Sequence, residues 1–302
     1  MALAARRLFG TPYVYDMDSG LARQMMDKIP ALRHVRRLLE GCEAAAVRDS
    51  IGTLAVCKSL EEQARAWDPG GLVARIEDVS LLADCPPGAA ADLPGDGGPV
   101  VMYVGNLQSY QGIDLLLAAF ALTLREVPEA RLIVIGGDPG SIAGYRRQCV
   151  GLGMSEAVLF AGPRPVQHLA AYLKRATVLV SPRVHGDNTP MKLYSYLDSG
   201  RAVLATRLPT HTQVLTDDIA CLVAPEPEAM ARGLARLLRD EVLRERLAAR
   251  ARELAQRELT PRAFERKLLQ FYDQITQIAP IGGGERRHGK TQRLEAGRPG
   301  AR

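Results

Sequence analysis

Short apolar runs punctuate the chain between Pro99 and Pro225, at residues 100–104, 132–136, 158–160, 178–180, 202–205 and 221–223. Each is apolar at consecutive positions instead of alternating. That pattern predicts strands buried on both faces, as in a parallel sheet covered by helices. Amphipathic stretches between the runs predict helices over 113–126, 141–151, 166–175, 189–199 and 212–217. Six strands joined by five crossovers make a doubly wound α/β domain.

The first 84 residues repeat the theme more sparsely. Strands are predicted at 13–16, 53–56 and 73–76, with a basic helix over 31–48 between the first two. Three strands are few for a free-standing doubly wound sheet. The Pro/Gly/Ala-rich segment 85–98 (CPPGAAADLPGDGG) reads as a linker. The predicted organisation is therefore a partial α/β domain over 1–84 and a complete one over 99–258. Helices are predicted over 228–239, 241–257 and 261–278, the last capped by Thr260 with Pro261 at its first position. That last helix, 259–278 with its cap, is expected to return to the N-terminal domain.

Composition narrows the class. Five widely spaced cysteines without a Cys-x-x-Cys pair predict reduced thiols, not a disulfide frame or a zinc site. No apolar run is long enough to span a bilayer, and no signal peptide is evident. The expected location is therefore cytoplasmic, with peripheral association at the inner face of an anionic membrane as the further option. The net charge of +5 is concentrated in residues 279–302, where six cations stand against two anions. That segment has no apolar period and is expected to be a disordered basic tail. A solvated tail and a lipid-touching tail both fit it. No nucleic-acid partner is expected.

Two segments carry candidate chemistry. In VMYVGNLQSYQGIDLLLAAF a strand ends at Gly105 and a helix follows near Gly112, which puts backbone amides where an anion can sit. No G-x-G-x-x-G and no Walker A sequence is present. In SPRVHGDNTPMKLYSYLDSGRAVLAT a strand end is followed by Arg183, His185, Asp187 and Asn188, then by Thr189 and Pro190 at a helix start. The free amides of Met191 and Lys192, with the cations Arg183 and Lys192, could hold a diphosphate. Each residue also has a plain reading: a solvated Lys192, an Asp187 that caps the helix, an ordinary loop His185.

From residue 11 to residue 272 the order, spacing and punctuation resemble the group 1 (family four) glycosyltransferases, whose fold is two Rossmann-like domains (GT-B). The resemblance implies a retaining, hexosyltransferase-type enzyme. It would move a sugar from a nucleoside diphosphate sugar to a saccharide, lipid or small-molecule acceptor, without a metal or other cofactor. The family's first-turn motif, G-R-L-x-x-x-K-G-x-D, falls on Gly105, Asn106, Leu107, Gln111, Gly112, Ile113 and Asp114. Its diphosphate-binding Arg and Lys are therefore Asn106 and Gln111 here. Its two glutamates, eight residues apart, fall on Asp187 for the donor sugar and Ser195 for the ribose. Its sugar-facing histidine falls on Asp18, which could equally cap the next helix. Ser59 is expected to cap another helix, and Asp78 stands where an asparagine is usual.

The expected catalytic residues are Asp187 and Asp18. The expected donor-binding residues are Gly105, Asn106, Gln111, Gly162, Arg164, Arg183, Met191, Lys192 and Ser195, with no metal ligand. Arg183 and Lys192 are expected to supply the charge that Asn106 and Gln111 lack. The family's opening strand and glycine-rich loop have no counterpart here, so the N-terminal domain is expected to be incomplete. Three rivals stand beside the enzyme: an inactive nucleotide-sugar-binding remnant, a sugar-nucleotide epimerase, and a binding protein using Arg33, Arg36, Arg37 and the tail.

Overall fold

A computed structural model describes residues 2–86, 93 and 97–278; the expected tail and most of the expected linker lie outside them. The described residues form two parallel sheets. Helix α1 (Ala2–Phe9) precedes β1 (Val14–Met17), α2 (Leu21–Lys28), α3 (Arg36–Arg48), β2 (Gly52–Ala55), α4 (Lys58–Trp67) and β3 (Val73–Arg75). These strands make a three-stranded sheet in the order β1-β2-β3. The predicted helix over 31–48 is interrupted, with a 3-10 turn over Pro30–Val35 before α3.

The second unit runs β4 (Val100–Val104), α5 (Ile113–Glu126), β5 (Arg131–Ile135), α6 (Pro139–Gly151), β6 (Val158–Gly162), α7 (Leu169–Lys174), β7 (Val178–Ser181), α8 (Lys192–Asp198) and β8 (Ala202–Thr206). It continues through α9 (Pro209–Thr212), β9 (Cys221–Val223), α10 (Pro227–Arg239), α11 (Glu241–Glu258) and α12 (Pro261–Ile278). The helix expected over 212–217 is displaced: Pro209, favourable at a first helical position, starts α9 earlier, and it ends at Thr212. Helix α8 is shorter than the expected 189–199, beginning at Lys192.

The six strands are ordered β6-β5-β4-β7-β8-β9. The chain winds outward from β4 to β6, then returns to place β7 on the other side of β4. The switch point therefore lies between the carboxyl ends of β4 and β7, where such sheets open a crevice. Strand β4 shows the two-sided burial its sequence predicts. Val101 and Tyr103 enter the core shared with Ile113, Leu117 and Phe120 of α5. Met102 enters the opposite core with Leu193, Tyr196 and Leu197 of α8.

The small sheet has its own core of Met17, Val47, Ala55, Leu60, Ala64 and Val73. Helix α12 packs on it: a Cβ at Gly52 would meet the Phe271 ring at 2.8 Å, and Lys267 bonds Glu77 at 2.9 Å. Asp18 does not cap α2, whose N-cap is Gly20 without a side-chain bond. The buried Glu43 does that work, accepting from the amides of Leu21 at 2.8 Å and Ala22 at 3.0 Å. Nor does Ser59 occupy a cap, because Cys57 stands at the N-cap of α4. No helix among the described residues is long and apolar enough to cross a membrane.

Candidate functional site

Two loops meet at the switch point. The first leaves β4 at Gly105, whose φ is +150° and whose amide donates to Ile135 O at 3.0 Å. A Cβ there would lie 2.8 Å from Lys192 Nζ and 2.9 Å from Tyr103 Oη, so glycine is what admits these side chains to the strand end. The loop closes at Gly112 (φ +74°), where a Cβ would lie 2.0 Å from Pro182 O of the second loop. Close backbone contact thus ties the two loops together.

The second loop carries Arg183, buried to 8% exposure. Its Nη1 donates to Asn188 O at 3.0 Å and Thr210 Oγ1 at 3.2 Å, its guanidinium lies 5.0 Å from the Tyr110 ring centroid, and its Nε has no partner. Lys192 opens α8 and reaches back over the Tyr103 ring, 3.9 Å from its centroid. Its Nζ donates to Gln111 Oε1 at 3.0 Å. Among the described residues no carboxylate pairs with Arg183 or Lys192. A buried guanidinium and a half-buried lysine without an acid beside them are an arrangement that an anion completes.

A buried brace fixes this loop. His211 is fully buried; its Nδ1 lies 2.8 Å from Thr206 O and its Nε2 2.9 Å from Ser181 Oγ. A carbonyl only accepts, so Nδ1 carries the proton and Nε2 accepts from Ser181. Thr206 Oγ1 donates to Arg183 O at 2.5 Å, and Thr210 Oγ1 to Asn188 O at 2.7 Å. Burial lowers the His211 pKa to about 4; its bond to Thr206 opposes the shift, and the nearby Arg183 charge deepens it.

The structure thus gathers Gly105, Gln111, Arg183 and Lys192. Asn106 and Met191 adjoin this group along the chain, and the other expected residues lie farther off. Asn106 is exposed, its carbonyl accepting from Tyr103 Oη at 2.6 Å. Met191 projects an exposed side chain ahead of α8. Gly162 ends β6 and Arg164 follows it, two strands from β4, or about 10 Å at ordinary strand spacing. Ser195 is buried and faces the hinge, accepting from the Leu81 amide at 3.1 Å.

Asp187 is half-exposed and pairs with Arg23 of α2 across the cleft. Its carbonyl accepts from Ser59 Oγ at 2.9 Å and Gln213 Nε2 at 2.7 Å. Asp18 is exposed after β1, close to Asp16 and Asp78. Burial first, and the Asp18 charge second, raise the pKa of both those neighbours. Sequence reasoning missed Tyr103, Tyr110 and the His211 brace. Tyr103 read as strand core, and His211 gave no signal because its partners come from a distant strand end. No cluster of His, Cys, Asp or Glu suited to a metal ion occurs among the described residues.

Comparison with known proteins bears on the family and the fold. Residues 98–240 match the family described as "Glycosyl transferases group 1". The chain is 31% identical over 156 residues to the D-inositol 3-phosphate glycosyltransferase of Acidothermus cellulolyticus, covering 48% of this chain and 34% of that one. The sucrose-phosphate synthase structure from Thermosynechococcus elongatus superposes with a TM-score of 0.74 at 23% identity, over 91% of this chain and 71% of that one. The Anabaena HepE protein, in complex with UDP and glucose, gives 0.71 at 15% identity, over 90% and 74%. The structural likenesses show the GT-B fold of two Rossmann-like domains. The chain spans a third to a half of the length of the curated relatives it matches.

Proposed function

We propose, for a chain whose residues 98–240 match the group 1 glycosyltransferases, that it transfers a sugar from a nucleoside diphosphate sugar to a hydroxyl of a polyol or saccharide acceptor, with retention at the anomeric carbon. One observation carries this reading: Lys192 beside Gly105, and Arg183 near enough for its charge to act on Lys192, meet at the switch point without anionic partners. The names of the relatives agree, since HepE is described with UDP and glucose and the Acidothermus protein as acting on an inositol phosphate.

In this reaction the bond from C1 to the diphosphate breaks with its electron pair going to the diphosphate, the acceptor oxygen bonds C1 on the same face, and the acceptor proton passes to the departing diphosphate oxygen. The diphosphate gains negative charge as it leaves. Arg183 and Lys192, already desolvated and aimed, stabilise that charge without reorganising. They occupy the role that Asn106 and Gln111 cannot fill, and Gln111 holds Lys192 in place. Asp187 and Asp18 address the donor sugar and acceptor once the cleft is filled, and the Gly162–Arg164 turn lies toward the base. Cations of the protein serve in place of a metal.

The double variant Arg183→Gln with Lys192→Gln tests this. Calorimetry should show UDP binding lost, a weakening of at least about a hundredfold for two charge-assisted contacts; unchanged binding would sink the reading. A second reading, a donor-binding chain without turnover, is favoured by Ser195 being held by Leu81 and Asp187 by Arg23. Product analysis with UDP-glucose and mixed polyol acceptors separates the two.

A further inference from the structure

Lys192 is not placed like an ordinary surface lysine. An ammonium has three N–H donors, yet here it meets one neutral amide oxygen at 3.0 Å and the face of one ring at 3.9 Å. The titratable and charged groups around it are Tyr103 from β4, Tyr110 from the first loop, Arg183 from the second, Tyr196 from α8 and His211 from α9. Two are cationic or can become so, three are phenols, and none is a carboxylate. A second full charge beside Arg183 is therefore uncompensated while the cleft is empty. The residue remains partly exposed, so an anion and a proton can both reach it.

We propose that Lys192 is an uncharged amine in the empty cleft and takes up a proton from solvent as the donor diphosphate fills it. This inference rests on the nucleotide-sugar reading above. In the step, the amine lone pair accepts a proton from a buffer acid, one N–H bond forms, and nothing is oxidised or reduced. The new ammonium faces the bound anion. Burial, then the Arg183 charge, hold the Lys192 pKa well below the ordinary lysine range; a neighbouring anion opposes the second cause and restores the charged form.

The linkage has a definite sign. Binding raises the lysine's affinity for its proton, so it takes up about one proton at a pH between the empty and filled values. In that window nucleotide affinity falls about tenfold per pH unit as pH rises.

The experiment is calorimetry of the full chain with UDP at pH 8, in buffers of differing ionisation enthalpy, repeated from pH 7 to 9. The dependence of heat on buffer enthalpy should report uptake near one proton, and affinity should weaken with pH. Lys192→Arg, charged at every pH used, should bind UDP with no uptake and a flat profile. Lys192→Met should bind more weakly, also with a flat profile, and serves if the Arg variant misfolds. UDP binding without uptake, or uptake undiminished in either variant, overturns this inference and leaves the nucleotide reading standing. Failure of the folded chain to bind either UDP or inorganic pyrophosphate overturns both.

Discussion

His211 shows how one buried side chain can govern a site it does not touch. Its ring joins Thr206 and Ser181, and through Thr206 it fixes the carbonyl of Arg183. Its folded pKa of about 4 lies below the ordinary 6.5, so the unfolded chain binds the proton more readily. The neutral ring's contribution is complete above pH 6.5 and is lost as pH falls toward 4, by up to about 3 kcal/mol. Urea midpoints of wild type and His211→Gln should therefore converge between pH 7 and 4, the wild type falling more steeply; parallel slopes would refute the assignment. Gly105 gives a second test. Gly105→Ala places a Cβ against Lys192 and Tyr103 at positive φ. Such strain costs about 1–3 kcal/mol of stability, and calorimetry should show UDP binding weakened about tenfold or more as Lys192 is displaced; unchanged affinity would refute this. The importance of Gly105 was legible from its place after a strand. That of His211 was not, because its partners are 5 and 30 residues away.

At the level of elements, strand positions were legible because a strand buried on both faces must be apolar at every position. Helix starts were less so. Pro209 and the Pro30–Val35 turn moved boundaries that periodicity alone could not place. Helix α12, expected from the sequence to return to the N-terminal domain, sets the buried Phe271 and Ile275 against Gly52 of the small sheet. Phe271→Ala should lower the unfolding free energy by about 3–5 kcal/mol, read by chemical denaturation. A loss under about 1 kcal/mol would mean that α12 is not part of this core.

Across the whole molecule, the small sheet is joined to the large one by α12, by the hinge at Ser80 and Leu81, and by contacts over the cleft. Ser80 Oγ donates to Asp198 at 2.7 Å beside the Leu81–Ser195 bond. Over the cleft, Gln213 bridges the Ser59 amide and the Asp187 carbonyl, and Arg23 pairs with Asp187. Both partners of that pair are about half-exposed, so it contributes about 0–1 kcal/mol. The contacts over the cleft are therefore few and weak. Combining Arg23→Gln with Gln213→Ala should shift the molecule toward an open form, raising the radius of gyration in small-angle scattering without unfolding it. An unchanged radius would show that closure rests on the hinge and α12 instead.

The sequence by itself determined the α/β class, the six apolar strands and the stretch that carries the proposed site, because local burial patterns and glycine punctuation are written in consecutive residues. It also put Arg183 and Lys192 near one helix start. What only the tertiary structure decided is which strands are neighbours, and hence that the loops after β4 and β7 share one crevice. The same packing turned Ser195 to the hinge, gave the α2 cap to Glu43 instead of Asp18, and set Lys192 against Tyr103 and Gln111. Long-range neighbours, not local periodicity, fix the environment of a side chain, and with it the charge that the side chain can carry.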